Sequence, residues 1–193
     1  MMKKLIFATH NPNKLVEIKS AVNSFEVVGL KEMGLHGDIA ETGTTLEENA
    51  LIKSQYIYQK TGLSCFADDT GLEVEVLVGK PGVYSARYAG KHATAENNMQ
   101  KLLSEMEGQK NRNARFRTVI SLILDGEEYS FEGKVVGEIL YQKTGNDGFG
   151  YDPIFKPTGF DQSFAQMTMK QKNEISHRGV AVKKLIHFLS QRS

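Results

Sequence analysis

Lys and Arg together number 24 against 23 Asp and Glu in this 193-residue chain, so no global field advertises nucleic acid or an anionic membrane. A composition 40% hydrophobic and 24% charged is that of a soluble globular protein, long enough to bury a sizeable core without staples. The single cysteine, Cys65, excludes an internal disulfide framework and a multi-cysteine zinc site; in its apolar run it is expected to pack. Leu5–Ala8 is too short for a signal-peptide core and no stretch approaches a membrane span, so a cytoplasmic protein is expected.

In chain order, Lys4–Ala8 reads as a buried strand, followed by the polar turn Thr9-His10-Asn11-Pro12-Asn13-Lys14. Leu15, Ile18 and Val22 then follow at helical spacing, with Asn13 the expected N-cap. A helix N-terminus beside a lysine is a natural anion site, although the loop lacks glycine and any Walker pattern; the alternative is a polar loop with a surface lysine. Phe25–Gly29 is a second strand. Thr44 and Glu47 have capping-box spacing and open a helix carrying Leu46, Ala50, Lys53 and Ile57. Lys53 lies on the Leu46/Ala50 side, either snorkelling to water or aimed at a charged ligand.

Ser64–Val76 begins apolar, reaches Asp68 and Asp69, and carries Thr70 and Gly71 before an alternating apolar/acidic run. It reads as a strand ending in a tight turn and then a second extended segment, with the two carboxylates pointing opposite ways. Paired carboxylates at a strand end suit a hard cation such as Mg²⁺; a solvated Asp-Asp-Thr-Gly turn is the plainer alternative. Gly79–Gly82 is another turn, and Thr94 precedes a helix with Met99, Leu102, Leu103 and Met106 inward. Arg115–Leu124 and Tyr129–Val136 form a hairpin about Asp125-Gly126. In Gly148-Phe149-Gly150-Tyr151-Asp152-Pro153, aromatic faces adjoin permissive backbone, fit either to stack on a base or to pack. Thr168 opens a short helix with Lys170 and Lys172, and Ser176-His177-Arg178-Gly179 introduces a last amphipathic helix with Val182, Leu185, Ile186 and Leu189.

Five segments in order and in register, Thr9–Lys14, Phe66–Leu72, Pro81–Tyr88, Gly148–Pro153 and Ser176–Arg178, closely resemble the inosine triphosphate pyrophosphatase family, and the resemblance covers nearly the whole chain. It implies a single two-lobed α/β domain over residues 1–193, built around a long mixed β-sheet with a central substrate cleft. It also implies Mg²⁺-dependent hydrolysis of ITP, dITP and XTP to the monophosphate and pyrophosphate by a homodimer. Carried over by residue, Thr9, His10, Asn11, Pro12, Asn13 and Lys14 would hold the phosphates. Asp69 would be general base and metal ligand, supported by Asp68 and Lys53, with Glu41 as second metal ligand; the preceding Ala40 stands where some relatives have another acid. Thr70 keeps the hydroxyl of a serine found in many members. Phe149, Gly150, Tyr151 and Asp152 would enclose the base, with Lys172, His177 and Arg178 completing the nucleoside site.

The chemistry follows from the groups themselves. Water must attack the α-phosphorus while the β,γ unit leaves, which asks for positioned cations and a carboxylate base rather than a covalent nucleophile. Hypoxanthine and xanthine present a 6-oxo acceptor where adenine presents an amino donor. Donors at Arg178, a protonated His177 or loop N–H groups would therefore reject adenine, by roughly 10⁴-fold or more at a site built on that hydrogen bond. Nothing in the chain shows how guanine would be excluded. Three rivals are a Maf-like pyrimidine triphosphate pyrophosphatase, a non-catalytic nucleotide-binding or signalling module, and a single-stranded RNA binder. The Ser-His-Arg segment, the Asp-Asp pair and the near-neutral charge argue against them in turn.

Overall fold

The computed structural model of the chain describes residues 3–22 and 25–192. Its elements, in order, are β1 (Lys4–Phe7), α1 (Pro12–Ala21), β2 (Glu26–Gly29), α2 (Leu46–Thr61), β3 (Cys65–Val74) and β4 (Pro81–Gly82), then α3 (Ala95–Glu105), β5 (Asn113–Leu124), β6 (Glu127–Ile139), β7 (Phe155–Pro157), α4 (Met169–Ile175) and α5 (His177–Ser190). The strands form one mixed sheet in the order β2-β1-β3-β5-β6-β7, with β4 paired to β3. β1 runs parallel to β2 and β3, whereas β3–β4 and β6–β7 are antiparallel. This is the mixed α/β architecture expected from the sequence.

Leu5, Ile6 and Phe7 are all buried, as a strand with parallel neighbours on both sides requires. α1 starts at Pro12, not after Asn13. Proline suits the first helical position because it has no N–H to orphan there. That moves the cap to Asn11, whose Oδ1 accepts from the Lys14 N–H at 3.4 Å. The expected Thr44/Glu47 capping box is displaced by one residue to Thr45 and Glu48, which makes Leu46 the first helical residue and buries it. Gly62 ends α2 in the left-handed region at φ 66°.

The expected turn at Asp-Asp-Thr-Gly is absent: β3 continues through it from Cys65 to Val74. Those four residues have turn chemistry, but Phe66 pairs with β1 and Leu72 with β4, both side chains are fully buried, and pairing overrides propensity. The β5–β6 hairpin forms as expected, Asp125 and Gly126 taking φ values of 51° and 91°, the two positive values of a type I′ turn. Cys65 is buried, donates to the Ser54 carbonyl at 3.2 Å, and has its thiol pushed up to about 12 by burial, which keeps it inert.

The chain divides into two compact units. The first comprises residues 1–69, 118–132 and 181–193. Its larger core gathers Phe7, Ile18, Phe66, Ile120, Leu122 and Leu185, with Phe7 and Phe66 stacked at 4.5 Å. The second comprises residues 70–117 and 133–180, with Leu72, Leu102, Met106, Phe116, Phe155 and Phe164 at its centre. Here Ser85 accepts from the Leu72 N–H at 2.9 Å and donates to the Gly82 carbonyl at 2.6 Å, which ties the Pro81–Tyr88 motif to β3.

Val78 stands in the left-handed region at φ 53° with its side chain 92% exposed. A β-branched residue is strained there and gains nothing from packing. Val78→Asn should raise unfolding stability by about 1 kcal/mol in urea titration; an unchanged or lower midpoint would show that the strain is relieved in another way.

Candidate active site

The first unit brings together Lys14, Glu41, Lys53, Asp68 and Asp69. Lys14 is the third residue of α1, and its Nζ lies 3.0 and 2.9 Å from the two Asp68 oxygens. Lys53, on α2, donates to Glu41 Oε1 at 2.7 Å and to the Asp68 carbonyl at 2.8 Å, and lies 3.6 Å from Asp69 Oδ1. Asp68 and Asp69, adjacent on an extended strand, thus take different lysines, as the alternation of a strand dictates. Lys53, Asp68 and Asp69 are all buried, so Lys53 is aimed at carboxylates rather than snorkelling to water.

Burial raises the Asp69 carboxyl; Lys53 opposes that rise, Glu41 adds to it, and Lys14 and Asn49 oppose it, leaving Asp69 above the ordinary carboxylate value. For Lys53, burial acts downward, but Asp69, Asp68 and Glu41 outweigh it and hold the ammonium above the lysine range. The buried Lys53 cation thus opposes, without cancelling, the upward push of burial on Asp69. Glu41 and Asp69 stand on either side of Lys53 and are hard oxygen donors of the type Mg²⁺ takes. No cluster of three or more His, Cys, Asp or Glu side chains able to hold a metal occurs among the described residues.

The loop before α1 is held from within: Thr9 Oγ1 accepts from the Asn11 N–H at 3.1 Å, and His10 Nε2 meets the Gly37 carbonyl at 2.9 Å. The side chain of Asn13, expected on this loop, lies outside the described residues.

The second unit holds the rest of the expected set. Asp152 is buried; its Oδ2 takes a 2.7 Å bond from Lys172 Nζ and a 2.8 Å bond from the Phe149 N–H. Lys172 Nζ sits 4.5 Å from the Phe149 ring centroid, and the Arg178 guanidinium carbon 5.5 Å from it. Phe149 remains half-buried. His177 is buried and stacks on Phe116 at 4.6 Å. Tyr151 behaves differently: it is buried in the core with its hydroxyl on the Ser85 carbonyl at 2.8 Å, and burial pushes its phenol above the ordinary range. Of the two loop aromatics, Tyr151 anchors the loop and Phe149 is the less buried. Thr70, the residue after Asp69 on β3, and Gly150, at φ 63°, complete the expected set.

Sequence reasoning passed over Asn49, Gly43 and Ser85. Asn49 is fully buried on α2 and accepts the Gly43 N–H at 2.8 Å. Its signal was its position four residues before Lys53, on the same helix face.

Fold and site together define a mixed α/β protein with a buried carboxylate–lysine centre and a cation-flanked aromatic loop. The sequence model of the Ham1 family matches residues 5–188, and the chain belongs to that family, as the motifs led one to expect. A dITP/XTP pyrophosphatase of Christiangramia forsetii is 53% identical over 189 residues, covering 97% of this chain and 100% of that protein. One from Flavobacterium johnsoniae is 52% identical, covering 97% and 98%. The Ham1 protein of Staphylococcus aureus superposes with a TM-score of 0.92 at 41% identity, covering 99% of this chain and 100% of that one.

Lys53→Met should raise the Asp69 carboxyl further, as read by ¹³C NMR titration of the metal-free protein. The sign for stability follows. A folded carboxyl held above its ordinary 3.8 binds protons the unfolded chain has released, so stability falls as pH rises through that window. The substitution should accordingly destabilise more at pH 7 than at pH 4; a pH-independent loss would place the carboxyl elsewhere. In the second unit, Gly148 has φ 78° and an added Cβ would stand 2.3 Å from Asp152 Oδ2. Gly148→Ala should lower the thermal midpoint, as read by calorimetry, because the added Cβ displaces Asp152 from Lys172 and from the Phe149 N–H; an unchanged midpoint would show that the loop yields without cost.

Proposed function

We propose that this chain hydrolyses non-standard purine nucleoside triphosphates (dITP, ITP and XTP) to the nucleoside monophosphate and pyrophosphate, with Mg²⁺. The proposal includes a homodimer, which rests on the family resemblance alone, and a cytoplasmic location, which is the expectation drawn from the sequence. The observation that carries the reaction is Asp69: a buried carboxyl, raised above its ordinary value and held against a buried lysine. That is the environment of a general base. The names of the 53% and 52% identical relatives support the substrate class.

On this reading, Asp69 orients the attacking water and takes its proton as the water approaches the α-phosphorus. Lys14 and Lys53 neutralise charge on the equatorial and leaving oxygens. Asp69 and Glu41 would hold Mg²⁺, which when bound supplies Lewis-acid polarisation of the phosphate and a more acidic water. The α1 N-terminus, with Thr9 to Lys14 before and within it, cradles the anionic chain. The half-buried Phe149 face stacks on the purine, and Lys172, His177 and Arg178 serve as donors to its oxo groups.

Separate detection of phosphate and pyrophosphate from XTP, dITP, ITP, GTP, ATP and dTTP, with and without Mg²⁺, tests the proposal. Metal-dependent pyrophosphate from XTP, dITP and ITP is expected, with Asp69→Asn lowering kcat by about 10²–10⁴-fold, the usual share of a general base. Arg178→Ala should erode discrimination between ITP and ATP more than it weakens triphosphate binding. Pyrophosphate mainly from dTTP, or orthophosphate as the first product, would overturn the assignment.

A further inference from the structure

In the second unit, Pro81–Tyr88 supplies none of the side chains expected at the nucleoside site, yet its backbone is held from several directions. Pro81 and Gly82 pair with Glu73 and Leu72 on β3. The buried Ser85 hydroxyl is used twice, accepting from the Leu72 N–H at 2.9 Å and donating to the Gly82 carbonyl at 2.6 Å. On the other side, the buried Asn98 of α3 accepts from the Ala89 N–H at 2.8 Å and donates to the Ala86 carbonyl at 3.1 Å. Between these clamps the Ser85 carbonyl takes the Tyr151 hydroxyl at 2.8 Å. A buried carbonyl and a buried phenol each need a partner, and here each answers the other. Tyr151 lies two residues after Phe149 and next to Asp152, in a stretch where Gly148 and Gly150 both take positive φ, 78° and 63°. Backbone that permissive does not hold a shape by itself. The Tyr151 ring, sunk in the core of the unit, gives the stretch its fixed point.

We propose that Pro81–Tyr88 is the mount of the nucleoside loop: the Ser85 carbonyl fixes Tyr151, and through it the Phe149 ring and the Asp152–Lys172 pair. Ser85 and Tyr151 are then positioning residues for base selection. This inference rests on the reading of Phe149, Lys172 and Arg178 as the nucleoside site. Tyr151 acts through its hydroxyl and not as a stacking face, because its ring is enclosed among core side chains. A site that tells an oxo from an amino group by hydrogen bonding must hold its groups within about 0.5 Å. A loop with two permissive glycines meets that demand only when tethered, and the Tyr151–Ser85 bond is the tether. The groups it holds bind the base and do not touch the attacking water, so its loss acts on KM and selectivity and spares kcat.

Tyr151→Phe keeps the ring and removes only the hydroxyl, and Ser85→Ala frees the carbonyl by releasing its backbone from β3 and Gly82. Measured well below each variant's thermal midpoint, both should raise KM for XTP about tenfold, the loss of about one buried hydrogen bond, with kcat within about threefold. Both should also narrow the ITP-over-ATP ratio of kcat/KM by about tenfold. Because the two changes break one path, the double variant should be no more than about threefold worse than the weaker single variant. Independently of turnover, hydrogen exchange of the Phe149 amide, which Asp152 holds at 2.8 Å, should quicken in Tyr151→Phe without nucleotide. Wild-type KM and selectivity in Tyr151→Phe would overturn the inference and return the tyrosine to a packing role. So would a fall in kcat at constant KM, fully additive effects in the double variant, or unchanged exchange at Phe149. If the wild-type chain turns XTP over but Phe149→Ala and Arg178→Ala leave its KM and selectivity unchanged, the nucleoside-site reading itself fails, and this inference with it.

Discussion

The first unit's site depends on one buried ammonium. Lys53 gathers oxygens from two separate stretches: the Glu41 carboxylate ahead of α2, and the Asp68 carbonyl and Asp69 carboxylate on β3. Each of these groups alone would be expensive inside a protein. Together they are tolerable, because the cation is hydrogen-bonded on two sides and ion-paired on a third. The dependence is mutual: removing the cation from a buried pair typically costs about 3–5 kcal/mol, and here Asp69 is the carboxylate left buried, Glu41 being partly exposed. The cheapest response is proton uptake by Asp69, which burial has already displaced in that direction. The protonation of Asp69 and the stability of this unit are therefore linked through the same pair of groups.

The same accounting explains what a polyanionic substrate must do. In the resting arrangement Lys14 is committed to Asp68 and Lys53 to Glu41 and Asp69. Binding a triphosphate through these lysines is an exchange of partners, not an addition of free charges. The carboxylates released by that exchange need new positive charge, and their hard oxygen donors favour a divalent cation with its own waters. On the proposed function, metal and nucleotide would thus be thermodynamically coupled, each lowering the cost of admitting the other. In the second unit Asp152 plays the analogous part, neutralising Lys172 while fixing the Phe149 backbone, so the lysine's cost of burial is met by the group that shapes the loop.

Much of this was legible in the sequence because several local signals agreed. The β5–β6 hairpin rests on Asp-Gly, which satisfies two positive φ values with little strain. Thr94 was readable as a cap because a hydroxyl, a suitable residue three places on and an inward apolar face coincide, whereas Thr168 has the hydroxyl and Gln171 three places on. The cap of α1 and the box of α2 were misplaced by one or two residues, because Asn11 and Asn13, or Thr44 and Thr45, offer the same chemistry. What selects between them is which frame buries Leu46 or gives Pro12 a position without an N–H to satisfy. That information is tertiary in the first case and subtler than cap propensity in the second.

The deeper misreading, a turn at Asp68–Gly71, shows where composition stops being informative. Asp, Thr and Gly favour turns because their side chains or permissive backbone satisfy local geometry. Local satisfaction loses when the same residues can be satisfied at a distance. Here Asp68 finds Lys14, Asp69 finds Lys53, and the backbone on either side finds β1 and β4. Residues that break a strand when solvated can continue one when their charges are answered, and that answer is also what makes the pair chemically useful. The misfit at Asp68–Gly71 is thus tertiary in origin: the same four residues read as a turn when only their own chemistry is in view, and as strand once their ion pairs and the neighbouring strands are supplied.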